Sequence, residues 1–402
     1  MAFTTVTGSN GVTSLVGTSG IDVATIVTLN SNLFVGAQGA DDVITEALSG
    51  PVFVASNWTV NGGAGSDSIT FFNNVLNSVI NGDGGTGTAG NDTIALGGTV
   101  INSAINGGSG NDLIGTFASD YSNSTVNGNA GDDTIAIDTA AASTFYGGQD
   151  VDTITIGGQS SSVVVNGNKG SDSISAAGST LSTSTLFGGN GNDTITVGGI
   201  TVASATTAGV FLSGDLGDDS VTGSGGVDTI NGGDGADTLL GNAGADVING
   251  GAGNDSITGG AGADNLTGGG GANIFVYTTL TNSTVSGNTG FDVITDFSAN
   301  TAIPATADQF DVTTVGAAVT NAGSVSSAGG DLATILAANF GGLGANNYGI
   351  INITAGATNA GIAGNYLVIN NGTAGYVAAD DAVIKLNSLN NITTANIGNL
   401  FV

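Results

Sequence analysis

The sequence predicts an all-β chain wound as a right-handed parallel β-solenoid, followed by a small β-rich C-terminal cap. Three observations predict it. From Gly214 the chain runs in nine-residue units that begin at Gly214, Gly223, Gly232, Gly241, Gly250, Gly259 and Gly268. In general terms the unit is G-G-x-G-x-D-x-U-x with U aliphatic, as in GGAGNDSIT, and a contiguous run at fixed spacing marks a repeat architecture, not a Gly-rich linker. Upstream, the same turn returns at Gly17, Gly36, Gly62, Gly82, Gly107, Gly128, Gly147, Gly167 and Gly188, at gaps of 19 to 26 residues. Finally, an aliphatic residue follows the turns at a constant offset: Ile69, Ile94, Ile114, Ile135, Ile154, Ile174 and Ile195, then Val221, Ile230, Leu239, Ile248, Ile257 and Leu266. One coil cannot bury such a residue, so these are expected to stack as one ladder.

The elements follow in chain order. Residues 1–16 read as an N-terminal strand with alternating apolar Phe3, Val6, Val12 and Val16, able to cap its own solenoid or pair with a neighbour. Residues 17–213 read as coils of about 20 residues with a nonapeptide-like turn on one edge. Their second half often reads N-S-x-U-N-G, as in Asn77 to Gly82, Asn102 to Gly107 and Asn123 to Gly128, so a coil is expected to hold two strands and two turns. Two nonapeptides make a coil in 18 residues, so 214–277 can continue the same winding. Residues 278–402 read as a β-rich cap. GANIFVY, GFDVITDFSAN and ADQFDV read as capping strands, Asp331 to Asn339 as a short helix, and YGIINI, NYLVINNGTAGYVA and AVIKLN as strands with a hairpin signal at Asn371-Gly372.

Composition narrows the function. The 402 residues carry a net charge of −30, with 72 Gly, no Cys and no His. The basic side chains are Lys169 and Lys385, read as surface residues, and the lone Glu is Glu46. Nucleic acid is excluded as a partner, because phosphate contacts need Lys or Arg. The 40% hydrophobic content argues against disorder. Disulfides are absent, no apolar run is long enough to insert into a membrane, and the N-terminal residues lack the basic and apolar regions of a leader.

The repeat carries the chemistry. An acid falls at the sixth turn position at Asp22, Asp41, Asp67, Asp92, Asp112, Asp133, Asp152, Asp172, Asp193, Asp219, Asp228, Asp237, Asp246, Asp255 and Asp264. Successive coils lie about 4.8 Å apart. Two carboxylates at that separation repel by about 3.5 kcal/mol at an effective dielectric near 20. Two Lys cannot neutralise such a row, so the counter-charge must come from solution. Ca²⁺ fits, because it accepts six to eight carboxylate and carbonyl oxygens in flexible geometry, whereas Zn²⁺ or Cu²⁺ would want His or Cys. One edge before Gly214 and both edges after it are expected to bind on the order of ten ions.

The run GGDGADTLLGNAGADVINGGAGNDSITGGAGADNLT resembles the RTX (repeat-in-toxin) calcium β-roll. NIFVY, DVITDFS and DQFDV resemble the segment that closes such rolls, and NYLVINNGTAGYVAADDAVIKLN resembles the terminal domain, sometimes called bluetail, of some cyanobacterial RTX-type proteins. The resemblance implies ions shared between same-edge turns one coil apart. Gly233, Gly235 and Asp237 would share one with Gly250, Ala252 and Asp255; Asn242, Gly244 and Asp246 would share another with Gly259, Ala261 and Asp264. Some turns depart from the pattern. Asn273 replaces Asp, Asp150 replaces the fourth Gly, the Gly82 turn carries an insertion before Asp92, and the Gly17 and Gly36 turns match loosely.

These readings point to a secreted, calcium-dependent structural protein that self-assembles into a cell-surface layer (S-layer) or an extracellular filament. No catalytic residue is assigned. An adhesin-like or surface-binding solenoid is the alternative, and a polysaccharide-acting enzyme ranks below both. The expected partners are further copies of the chain and a cell-surface polysaccharide. Type I secretion, read from the C-terminal end, is the route the resemblance implies. Asp380-Asp381 reads as a turn pair or an extra ion site.

Overall fold

The computed structural model describes residues 4–7, 13–26, 32–46, 54–84, 90–115, 120–198, 208–277, 290–298, 307–312, 319–326, 332–340, 348–354, 363–370 and 382–387. Asp331, Asn371-Gly372 and Asp380-Asp381 lie outside the described residues. The chain divides into two compact units, Met1–Gly199 and Ile200–Val402. It is nearly all β, and parallel strands stacked coil upon coil form a β-solenoid in each.

In the first unit the isoleucine ladder forms as expected. Ile69, Ile94, Ile114, Ile135, Ile154, Ile174 and Ile195 are in parallel register and fully buried. They belong to a sheet that includes Ser68–Phe71, Thr134–Ile137 and Thr194–Val197, here the second sheet. The first sheet holds the U residues of the N-S-x-U-N-G halves: Val60, Ile80, Ile105, Val126, Phe145, Val165 and Leu186. Both sheets alternate inward apolar and outward polar residues, as stacked strands with one buried face must.

The expected coil of two strands is incomplete. A third, seven-stranded sheet runs through Val54–Ser56, Asn74–Leu76, Thr99–Ile101, Asp120–Ser122, Thr139–Ala141, Gln159–Ser161 and Thr180–Ser182. Eighteen residues suffice for two turns and two strands; the extra residues of the longer coils supply the third. Glu46 is buried at the end of its strand. Its carboxylate accepts from the N–H groups of Phe72 and Asn73 at 3.1 Å each, and from Asn73 Nδ2 at 2.6 Å.

In the second unit the expected single ladder splits in two. Val221, Leu239 and Ile257 stack in one sheet and lead to Phe275. Ile230, Ile248 and Leu266 stack in the other and lead to Ile294. Successive nonapeptides lie on opposite sides of an 18-residue coil, so alternate U residues belong to different sheets. The capping strands appear as Ile274–Tyr277, Asp292–Ile294 and Gln309–Val312. Beyond them the helix Leu332–Phe340 packs its Leu332, Leu336 and Phe340 with Ile351, Tyr366, Val368 and Val383. Strands Gly364–Ile369 and Ala382–Leu386 pair antiparallel, and the latter joins Asp292–Ile294 in parallel.

Candidate metal centre

Each turn leads from one sheet into the strand that carries U, and the sixth-position Asp sits at that entrance with its side chain inward. Along the first unit these carboxylates form a chain of hydrogen bonds. The Asp67 N–H donates to Asp92 Oδ1 one coil on at 2.7 Å, Asp92 to Asp112 at 2.7 Å, and Asp112 to Asp133 at 2.8 Å. Asp133 continues to Asp152 at 2.8 Å, Asp152 to Asp172 at 2.8 Å, and Asp172 to Asp193 at 2.7 Å. Every Asp in the row is buried.

Oδ1 is therefore satisfied by protein. The second oxygen is not. Buried Oδ2 atoms of Asp42, Asp67, Asp92, Asp112, Asp133, Asp152 and Asp172, and of Asp237, Asp246, Asp255 and Asp264 in the second unit, have no hydrogen-bond partner. An ionised oxygen left so is costly. Without a cation the carboxyls respond by holding protons. Burial, opposed by the backbone N–H bond and reinforced by neighbouring carboxylates, pushes Asp67 and Asp133 up to about 7 and Asp92 and Asp152 to about 8. Burial raises Asp112 to about 6 in the same way.

The surroundings of these oxygens fit Ca²⁺. A methyl group placed on the first glycine of a turn would strike that turn's Asp Oδ2 and the first-glycine carbonyl one coil on. This holds for Gly62 with Asp67 and Gly82, Gly128 with Asp133 and Gly147, and Gly232 with Asp237 and Gly250. Carboxylate and carbonyl oxygens thus converge where a side chain is missing. Among the described residues no three acidic side chains converge, so carbonyls must complete any ion's shell, a donor set that suits Ca²⁺. The second and fourth positions take left-handed backbone, with φ of 121° at Gly233, 139° at Gly235 and 143° at Gly244. Asn242 at 77° and Asp150 at 72° take the same region, which short polar residues tolerate.

The turn pairs named from the sequence are neighbours in space. Gly235 N–H donates to Ala252 O at 2.8 Å and Asp237 N–H to Asp255 Oδ1 at 3.0 Å. Gly244 N–H donates to Ala261 O at 2.9 Å and Asp246 N–H to Asp264 Oδ1 at 2.9 Å. A methyl group on Gly241 would meet Gly259 O and Asp246 Oδ2. The second unit carries two rows, one on each side of its coil: Asp219, Asp237, Asp255 and Asn273, and Asp228, Asp246, Asp264 and Asp292. Burial pushes Asp246 up to about 8, and Asp255 and Asp264 to about 6.

Three row members escaped the sequence reading. Asp42, not Asp41, occupies the row: its Oδ1 accepts from Asp22 N–H at 2.6 Å, and its own N–H reaches Asp67 Oδ1 at 2.7 Å. Asp41 faces out and accepts from Ser66 N–H at 2.9 Å. Counting back from the inward Ile44 identifies Asp42, because strand alternation fixes which carboxylate points in. Asp292 and Asp308 extend the two rows of the second unit; Asp292 ends the stretch Gly287-Asn288-Thr289-Gly290-Phe291-Asp292, a G-N-x-G-x-D pattern in the sequence, whereas for Asp308 only the D-x-U spacing is a signal.

Several row-end carboxylates also differ in kind, because protein donors occupy the outer oxygen. Thr18 N–H and hydroxyl bind Asp22 Oδ2. Ser224 does the same for Asp228, at 2.6 and 2.9 Å. Tyr277 hydroxyl donates to Asp292 Oδ2 at 3.0 Å, and Ser298 N–H to Asp308 Oδ2 at 2.7 Å. Asp228, expected as a metal ligand, is thus already engaged on both oxygens, since Oδ1 accepts from Val210 N–H at 3.0 Å.

The family model of the RTX calcium-binding nonapeptide repeat matches the chain in four copies, at residues 118–136, 183–199, 211–239 and 240–275. These repeats on a β-solenoid support an RTX calcium-binding β-roll protein. Two of the matched copies contain Asp133 and Asp193 of the first unit's row; the other two span Asp219 to Asn273. RTX repeats of this kind are typical of extracellular proteins exported by type I systems, and their rolls are typically structural. A comparison with curated proteins returns no match.

Proposed function

We propose that this RTX protein is an exported structural protein that folds on calcium outside the cell and assembles with copies of itself into a surface layer or filament. The observation that carries assembly is an open edge. In the first unit, Thr4–Thr7 pairs antiparallel with Thr13–Val16 and so covers the starting strand of the first sheet. The starting strand of the second sheet, Val23–Ile26, pairs with Val43–Glu46 and, among the described residues, with no other strand. Beside it Ile21 and Val23 are 63% and 58% exposed. An unpaired strand flanked by exposed apolar side chains is a template for another chain.

Calcium supplies the control. Where free calcium is low, the carboxylate rows oppose folding; where it is high, binding to the folded state alone stabilises it by mass action. No catalytic role is assigned to the chain, and export is read from its C-terminal region.

Electron microscopy and light scattering of the purified chain in millimolar Ca²⁺ test the reading. Sheets or filaments that dissolve on chelation are expected, and the double variant Ile21→Lys, Val23→Lys should stay folded and dispersed. A wild-type chain that remains monomeric at high concentration in Ca²⁺ would refute assembly. For export, deletion of about the last 60 residues should trap the protein inside its cell, a length set by the β-rich terminal segment; secretion of the truncated form would refute that part.

A further inference from the structure

On the outer face of the first unit's first sheet, strands Ala104–Ser109, Thr125–Ala130, Thr144–Gln149 and Val164–Lys169 border a groove of about 520 Å³. That volume is in the range of small-ligand sites. The groove follows from the repeat. The second turn position alternates Gly108, Asn129, Gly148 and Asn168 in parallel register. Gly148 therefore leaves a gap between two amide walls, two coils and about 9.6 Å apart. Both walls are braced: Asn129 Nδ2 donates to Asn127 O at 3.3 Å, and Asn168 Nδ2 to Asn166 O at 3.5 Å.

Tyr146 takes the place that asparagine holds in the coils on either side, in register with Asn127 and Asn166. It offers a half-exposed aromatic ring between amides. Lys169, one of two cations in a chain of net charge −30, lines the same groove, and no carboxylate does so among the described residues.

We propose that this groove binds an acidic polysaccharide. The aromatic ring stacks on the C–H face of a sugar, the braced amides exchange hydrogen bonds with its hydroxyls, and Lys169 meets a carboxylate substituent. The groove names a partner for the surface protein proposed above. Binding is read on soluble, folded protein, so it and self-assembly can fail separately.

The test is calorimetric titration of the Ca²⁺-folded, dispersed chain with oligogalacturonate and with a neutral cello-oligosaccharide of equal length. The acidic probe should bind about tenfold more tightly, a gap of about 1.4 kcal/mol. Tyr146→Ala should weaken both probes about tenfold. Lys169→Met should bring the acidic probe down to the neutral one while circular dichroism stays unchanged. Absence of binding to either probe, or wild-type affinity in both variants, would overturn the site. An acidic preference that survives Lys169→Met would show carboxylates bridged by surface calcium instead, and would overturn it equally.

Discussion

The two edges of the first unit's coils solve one problem in two ways. At each edge the backbone N–H entering the next strand needs an acceptor from the coil ahead. On one edge Asp supplies it. On the other, Ser does: Trp58 N–H donates to Ser78 Oγ at 3.0 Å, Ser78 to Ser103 at 3.0 Å, Ser103 to Ser124 at 3.2 Å and Ser124 to Ser143 at 3.1 Å. Each serine hydroxyl then donates to a carbonyl two residues back, as in Ser78 to Leu76 O at 2.8 Å and Ser103 to Ile101 O at 2.8 Å. The serine edge is closed and neutral. The aspartate edge satisfies the same N–H groups and leaves a row of buried anionic oxygens. Stacking of coils therefore does not itself require an ion. The acid makes one edge conditional on calcium, and the second unit, with acid rows on both sides, doubles the condition.

The largest expected effect follows from that difference. Chelation should unfold the nonapeptide coils, 214–277, at a higher free calcium than the coils of the first unit, which keep their serine edge. Hydrogen exchange followed by region measures it; simultaneous loss of protection, or earlier loss in the first unit, would break the comparison. Next in size is a swap of chemistry at one position. Asp133→Ser should destabilise the protein in calcium, where an ion joining two coils loses a ligand. The same change should stabilise the calcium-free protein by removing a buried acid. Melting with and without chelator reads the two signs.

The pH response should also depend on calcium. In the calcium-free fold, carboxyls raised to about 7 or 8 (Asp67, Asp92, Asp133, Asp152 and Asp246) bind more protons than the same groups in the unfolded chain, with its ordinary value of 3.8. Their contribution is complete below about pH 4 and is lost as pH rises through about 6 to 8. With calcium bound the carboxylates are ionised in the folded and the unfolded chain alike over that window, so stability is flat there and falls only as pH drops through about 4. Parallel melting curves in both conditions would contradict the assignment.

Smaller effects sharpen the neutral edge. Ser124→Ala strands the Ser103 N–H and should cost about 1–3 kcal/mol regardless of calcium. The residue before each inward residue of this edge is left-handed: φ is 49° at Asn77, 49° at Asn102, 48° at Asn123 and 49° at Ala142. Asn tolerates that region and Ala does not, so Ala142→Asn should stabilise by about 1 kcal/mol in denaturant titration.

Much of this was legible because a nonapeptide states its own register: a glycine turn, an inward acid, an inward aliphatic. Where the statement is partial, reading falters. The doubled Asp41-Asp42 after Gly36 hides which acid points in, and Asp308 has no glycine turn ahead of it. The recurrent Ser of N-S-x-U-N-G was visible, but its role is not local, because Ser103 serves a residue 25 positions earlier. The third sheet was illegible for a plainer reason. Strands of three residues such as Gln159–Ser161 carry no periodicity of their own and exist only because neighbouring coils stack upon them.

Anomalous diffraction from crystals grown in Ca²⁺ tests the central claim most directly. The account predicts peaks along the aspartate edge of the first unit, each within coordination distance of an Asp Oδ2 and of first-glycine carbonyls such as Gly82 O and Gly147 O. It predicts none along the row Ser78, Ser103, Ser124 and Ser143. An aspartate edge without peaks, or ions distributed equally over both edges, would contradict it.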